Sequence, residues 1–208
     1  MTDRIPTTSR QGWARIEAEH DIAEADRVLG HPLLVDLLKL WAKLCRNGEP
    51  PAREDVDDLI LKPGIYPRIM LLEGVERNGR RDLRYRLIGT GFAQNLRGDM
   101  AGRYVREVFA DSTYADELIA AAYLVIDGRQ PIASTGRYVP AAGGEALDVY
   151  RLGLPLKKLP SGTPLLLVCQ ISVYRGAIAD APAGQLYSYE PGSLVAFADR
   201  GAGRSQAT

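Results

Sequence analysis

Two arginines stand on segments with strand-like alternation, within reach of hydroxyl-bearing residues. They are Arg86 in Arg84-Tyr85-Arg86-Leu87 and Arg137 in Gly136-Arg137-Tyr138. A guanidinium presents a planar fork of donors that matches a carboxylate, and a phenol or threonine hydroxyl beside it completes an anion receptor. The candidate pocket built on this chemistry comprises Arg86, Thr90, Phe92, Tyr104, Arg137, Tyr138 and Tyr150. The commoner role for such arginines is plainer. Arg86 would pair with an acid such as Glu73 or Asp148, and the tyrosines would pack with their hydroxyls at the rim.

Other chemistries find less support. Cys45 and Cys169 are far apart in apolar settings, with no CxxC or Cys/His spacing for zinc. The run Leu165-Leu166-Leu167-Val168-Cys169 makes Cys169 an inert buried thiol. The histidines, His20 and His31, both precede the strand-rich part, so an axial haem ligand is not expected there. Acids on strand-like segments are few (Glu73, Glu76, Asp148) and no histidine accompanies them, which argues against an acid–base enzyme. Lys plus Arg and Asp plus Glu number 26 each. The zero net charge gives no global field for nucleic acid or anionic lipid. A polar N-terminus and short apolar runs imply a soluble, cytoplasmic protein with no membrane segment.

The elements that must position these residues follow from periodicity. Residues 1–30 read as an arm and an amphipathic helix over 12–29, with Trp13 and Ile16 on its apolar stripe. A second helix starts near Pro32 and puts Leu34, Leu37, Leu38, Trp41 and Leu44 on one side, with Asn47-Gly48 after it. Residues 31–64 form this helical lead and a connector. The acids Glu54, Asp55, Asp57 and Asp58 suit the first turn of a short helix before Leu59-Ile60-Leu61. From 65 to 176 the pattern is that of a core. Strands are expected at Arg68–Glu76 and Leu83–Gly89, joined by an Asn78-Gly79 turn. A helix runs from Ser112 or Thr113 to Asp127-Gly128, and strands follow at Ile132–Val139, Ala146–Leu154 and Leu165–Tyr174. The last, almost wholly apolar, should be central. Residues 177–208 read as a weakly ordered tail. The expected fold is α+β: a five-stranded antiparallel sheet with helices on one face, preceded by N-terminal helices.

This order, and the residues Trp41, Gly48 to Arg53, Arg86-Leu87-Ile88-Gly89-Thr90, Gly98 with Gly102, and Pro155-Leu156, resemble the PAS superfamily. The likeness is closest to a mostly proteobacterial PAS-domain family without assigned function, and it spans roughly residues 33–175. The resemblance implies a sensory module without catalytic activity. It would bind a small organic ligand between sheet and helices, or a signalling partner protein. The turn that carries a reactive cysteine in covalent flavin relatives has Val105 here, so neither covalent flavin nor haem is expected. Relatives often carry an acid shortly before the late Pro-Leu, where this chain has Arg151.

No output segment is recognised, so signalling would pass through a partner or a dimer. A homodimer is expected, with residues 12–46 covering the exposed sheet face and Trp13, Ile16, Leu37 and Trp41 docking the helices. The alternatives are a ligand-free interaction module and an isomerase-like enzyme on a curved-sheet cone.

Overall fold

The computed structural model describes residues 16–57, 64–91, 100–110, 112–140, 145–174, 177–178 and 187–198. The fold is α+β, with one mixed sheet and a few helices. In chain order the strands are β1 (Ala18–Asp21), β2 (Ile69–Arg77), β3 (Arg80–Ile88), β4 (Ile132–Pro140), β5 (Leu147–Leu156), β6 (Leu165–Tyr174), β7 (Ala177–Ile178) and β8 (Tyr187–Ala198). The sheet runs β1-β8-β4-β5-β6-β2-β3, with β7 pairing β6 off this path. The β1–β8 pair is parallel, and the other pairs are antiparallel.

The sheet therefore exceeds the expected five antiparallel strands. The five anticipated strands form its contiguous β4-β5-β6-β2-β3 block. The additions come from the two ends of the chain. Residues 187–198, expected within a weakly ordered tail, form β8 between β1 and β4, and Leu194, Ala196 and Phe197 are buried. The segment expected as an amphipathic helix over 12–29 is, in its described part, β1, a single helical turn at Ile22–Glu24 and the short α1 (Ala25–Val28). Its register with Val195–Ala198 is a long-range pairing that a local helical stripe does not reveal. Asp21 then breaks the strand with a reciprocal cap. Its carboxylate accepts from Ala23 N–H at 2.8 Å, and Glu24 accepts from the Asp21 N–H.

Among the described residues the other α-helices are α2 (Pro32–Leu44), α3 (Val105–Val108) and α4 (Thr113–Gly128). Pro32 opens α2, and His31 Nδ1 caps it by accepting from Leu33 N–H. Ser112 Oγ caps α4 by accepting from Ala115 N–H. Gly128 stays helical and Arg129 takes the left-handed C-terminal position (φ 53°), with its side chain paired to Glu49. The β2–β3 hairpin turns at Asn78-Gly79, both at positive φ, as a two-residue turn of this composition requires. Of the four acids, Glu54 and Asp55 lie in one helical turn over Glu54–Val56, and Asp58 and Leu59-Ile60-Leu61 lie outside the described residues.

Helices occupy both faces of the sheet rather than one, so there are two cores. The first holds Leu34, Leu37, Leu38 and Trp41 of α2 with Leu71, Leu152, Leu154, Leu167 and Cys169. Trp41 Nε1 donates to the Pro155 carbonyl at 2.8 Å, which pins α2 to β5. The second holds Ala115, Ile119, Ala122, Val125 and Ile126 of α4 with Leu72, Leu83, Ile132, Leu166 and Leu194. The sheet face that the first helices were expected to cover is covered by the chain's own α2. Alternation along β6 sends Leu165 and Leu167 to one core and Leu166 to the other, as a central strand demands.

Candidate functional site

A cavity of about 90 Å³ lies between α4 and the sheet. Leu118, Ala121, Ala122 and Val125 of α4 form its roof. Its floor crosses the sheet, from Met70 and Leu72 on β2 and Leu83 and Tyr85 on β3 to Leu194 on β8. Val105 of α3 closes one side. The wall is almost entirely apolar. Its polar exceptions are Ser134, Arg151 and the phenol of Tyr85.

Arg151 is where the chemistry concentrates. Strand register sets Leu194, Ser134, Arg151 and Gln170 in one row across β8, β4, β5 and β6. Residues opposed in this way share a face. Ser134, Arg151 and Gln170 are each only 8% exposed, so three polar side chains stand together in the middle of the sheet. Arg151 Nε donates to Gln170 Oε1 at 2.5 Å, and its Nη2 donates to Tyr138 Oη at 2.8 Å. The guanidinium carbon lies 4.6 Å from the Tyr189 ring centre and 5.8 Å from that of Tyr138. Gln170 thus offers an amide oxygen, Tyr138 a phenol and Tyr189 an aromatic face.

The tyrosines form a cluster around this cation. Tyr138 and Tyr189 meet edge to face at 5.4 Å, and Tyr114 of α4 lies 5.8 Å from Tyr189. Gly136 makes room for it, since a Cβ there would stand 2.1 Å from Tyr189 Oη. Burial pushes the Tyr114 and Tyr189 phenols above the ordinary tyrosine range, so both remain protonated donors near neutral pH. Burial opposes the charge on Arg151. The oxygens of Tyr189, Tyr138 and Tyr114 more than offset that effect and raise its pKa, so the guanidinium is permanently charged.

The residues expected to line a pocket are scattered. Arg86, with Arg84, pairs with the buried Glu73 carboxylate on the α2 face, away from the cavity. Arg137 is exposed and pairs with Asp148 at 2.9 Å. Thr90 is exposed, and Phe92 lies outside the described residues. Tyr104 sits beneath the Arg77 guanidinium at 3.7 Å, and its backbone starts α3. Tyr150 packs in the α2 core, its ring against Gly30. Tyr138 alone among them touches the buried cation. Among the docking residues, Leu37 and Trp41 are buried in their own chain, Ile16 packs on the α4 core, and Trp13 lies outside the described residues.

Arg151, Ser134 and Gln170 were not among the expected pocket residues, although a signal was present. Leu147, Val149, Arg151 and Gly153 share one face of β5, so alternation puts an arginine on an apolar face. Gln170 likewise interrupts the apolar run of β6. A polar residue at a buried position is more informative than an arginine on a mixed strand.

Among the described residues no group of three or more His, Cys, Asp or Glu side chains could hold a metal ion. Cys169 is buried on the opposite face, and burial pushes its thiol up to about 12, which leaves it without nucleophilic character at neutral pH. No helix among the described residues is long and apolar enough to cross a membrane. Compared with family models, with curated proteins and with solved structures, the chain matches none of them.

Proposed function

We propose that this chain is a PAS-like sensory module that binds a small molecule between α4 and the sheet and passes the event to a partner protein. The observation that carries this reading is the apolar cavity with one charged wall residue, Arg151. Concave apolar sites with a few convergent polar groups are the usual form of small-ligand sites. The contiguous antiparallel β4-β5-β6-β2-β3 block, with α4 as the crossover between β3 and β4, supports the PAS-like part of the reading.

A volume of about 90 Å³ is several times the roughly 10–15 Å³ that one water requires. It suits an occupant of roughly six to ten non-hydrogen atoms by that scale. Because α4 forms the roof, occupancy would change how this helix sits on the sheet. That gives the ligand a differential contact with two states, which any signal requires.

The test is native mass spectrometry of freshly purified protein, followed by ligand-observed NMR with small aromatic and aliphatic molecules, acidic and neutral. The expected result is at least one binder that slows amide exchange in α4 and is lost in Ala121→Leu, which fills the cavity from its roof. If no molecule binds and α4 exchange never changes, a ligand-free interaction module replaces this proposal.

A further inference from the structure

We infer that the occupant of this cavity is a small neutral carbonyl compound with an apolar body, its oxygen received by the hydroxyls of Tyr85 and Ser134. This inference rests on the small-molecule reading above and adds the chemical class of the ligand.

Two buried hydroxyls carry it. Tyr85 is 3% exposed and Ser134 8%, and both line the cavity. Among the described residues neither hydroxyl has a hydrogen-bond partner on the protein. Each therefore keeps a donor that an occupant of the cavity can satisfy. A buried hydroxyl without a partner costs free energy, and phenylalanine and alanine would pack in the same two places without that cost. A ligand oxygen recovers it each time it binds.

The kind of oxygen follows from the donors and their neighbours. Burial pushes the Tyr85 phenol well above the ordinary tyrosine range, so it stays a protonated donor and calls for an acceptor. Ser134 stands opposite Arg151 in the strand register, and the Arg151 charge acts on the Tyr85 phenol, so both hydroxyls lie near the same guanidinium. Arg151 itself is engaged by Gln170 and Tyr138, and its charge disfavours a cationic ligand. The rest of the wall is apolar, and an anion would give up its water against it at a high cost. A carbonyl accepts from two donors and brings no donor of its own, and its apolar body suits the leucines and alanines of the lining. The volume limits that body to a benzene ring or a short branched chain.

The experiment titrates the full chain, by NMR, with acetophenone, with α-methylstyrene (a methylene group in place of the oxygen) and with benzoate. Acetophenone is expected to bind about tenfold more tightly than α-methylstyrene, the effect of hydrogen bonds from buried donors, and more tightly than benzoate. Its isotope-labelled carbonyl carbon should shift downfield on binding. Tyr85→Phe and Ser134→Ala should each remove part of the preference for the ketone and part of that shift, and should leave α-methylstyrene binding unchanged. Neither substitution should lower the urea midpoint of the free protein, because no internal hydrogen bond is lost. A lowered midpoint in either variant would show its hydroxyl tied to the protein and would overturn the inference. Equal binding of ketone and hydrocarbon, or tighter binding of benzoate, overturns the carbonyl inference while the small-molecule reading stands. The same holds if none of the three binds but another small molecule does. If no small molecule binds, both are overturned.

Discussion

On the α2 face of the sheet, Leu37, Leu38 and Trp41 close against β5 and β6, and the ionic group there, Glu73 with Arg84 and Arg86, contains its own counter-charge. On the α4 face, the helix stands over a cavity, and the buried Arg151 donates to Gln170 and Tyr138. The same central strands serve both faces, so the difference lies in what each helix brings. α2 brings leucines and a tryptophan, whereas α4 brings alanines (Ala115, Ala121 and Ala122) at positions facing the sheet. Small roof residues over a long-sided floor leave space. The comparison separates a face built for stability from a face with room for a ligand.

The largest effect should come from the filled face. Trp41 is 6% exposed and combines a large apolar surface with a hydrogen bond to the Pro155 carbonyl. Trp41→Ala should destabilise the fold by roughly 3–5 kcal/mol, measured by urea denaturation. An unchanged midpoint would mean that α2 does not close this face in solution, and the contrast between the faces would fail.

Alkaline pH probes both faces with an effect of the next size. Cys169 lies in the α2 core, and Tyr85 and Tyr114 lie on the cavity side. Burial raises the pKa of all three above the ordinary values of 9.0 for the thiol and 10.0 for the phenols. The neutral forms are favoured by folding, so this stability is fully present below the unfolded values and is lost as pH rises through the folded ones. For the thiol the window runs from 9.0 to about 12. One such group removes about 1.4 kcal/mol per pH unit inside its window. Melting temperature should therefore fall above pH about 9. Cys169→Ala should flatten the first part of the fall and leave the phenol part. Superimposable curves for the two proteins between pH 9 and 10 would show that the thiol is not sealed into the α2 core.

The contrast between the faces also explains what the sequence disclosed. The central strands, α2 and α4 carry their own signals: period-two alternation, Pro32 and Ser112 at helix starts, and Asn78-Gly79 at the hairpin. β1 and β8 do not, because a strand of Ala18, Glu19, His20 and Asp21 is defined by its partner Val195–Ala198 and not by its own composition. The helical stripe read over 12–29 lost to that pairing. The site followed the same logic. Arg86 and Arg137 drew notice as arginines among hydroxyls, but each has a carboxylate within reach, Glu73 and Asp148. Arg151 stood out only through the PAS resemblance, as an arginine at a position where that family often has an acid, and its place on the apolar side of β5 was the stronger clue. Its partners Tyr138, Tyr189 and Gln170 come from three other strands, a convergence that only the sheet order creates.

The smallest effect on stability sharpens the comparison most. Ala121 is half-buried in the cavity roof, and its replacement by Leu adds apolar volume where there is space for it. In a well-packed core an added side chain of this size forces shifts that cost about 1–3 kcal/mol. Over an open cavity the added methyl groups gain contacts instead, so Ala121→Leu should change stability by less than about 1 kcal/mol in either direction. The control is an equivalent enlargement on the other face, Ala25→Leu, at a position that is 0% exposed in the α2 core. That variant should fall within the overpacking range of about 1–3 kcal/mol. Urea midpoints of the two variants, measured side by side, decide the matter. If Ala121→Leu costs as much as Ala25→Leu, the α4 face is as full as the α2 face, and it has no room for a ligand of the size argued above.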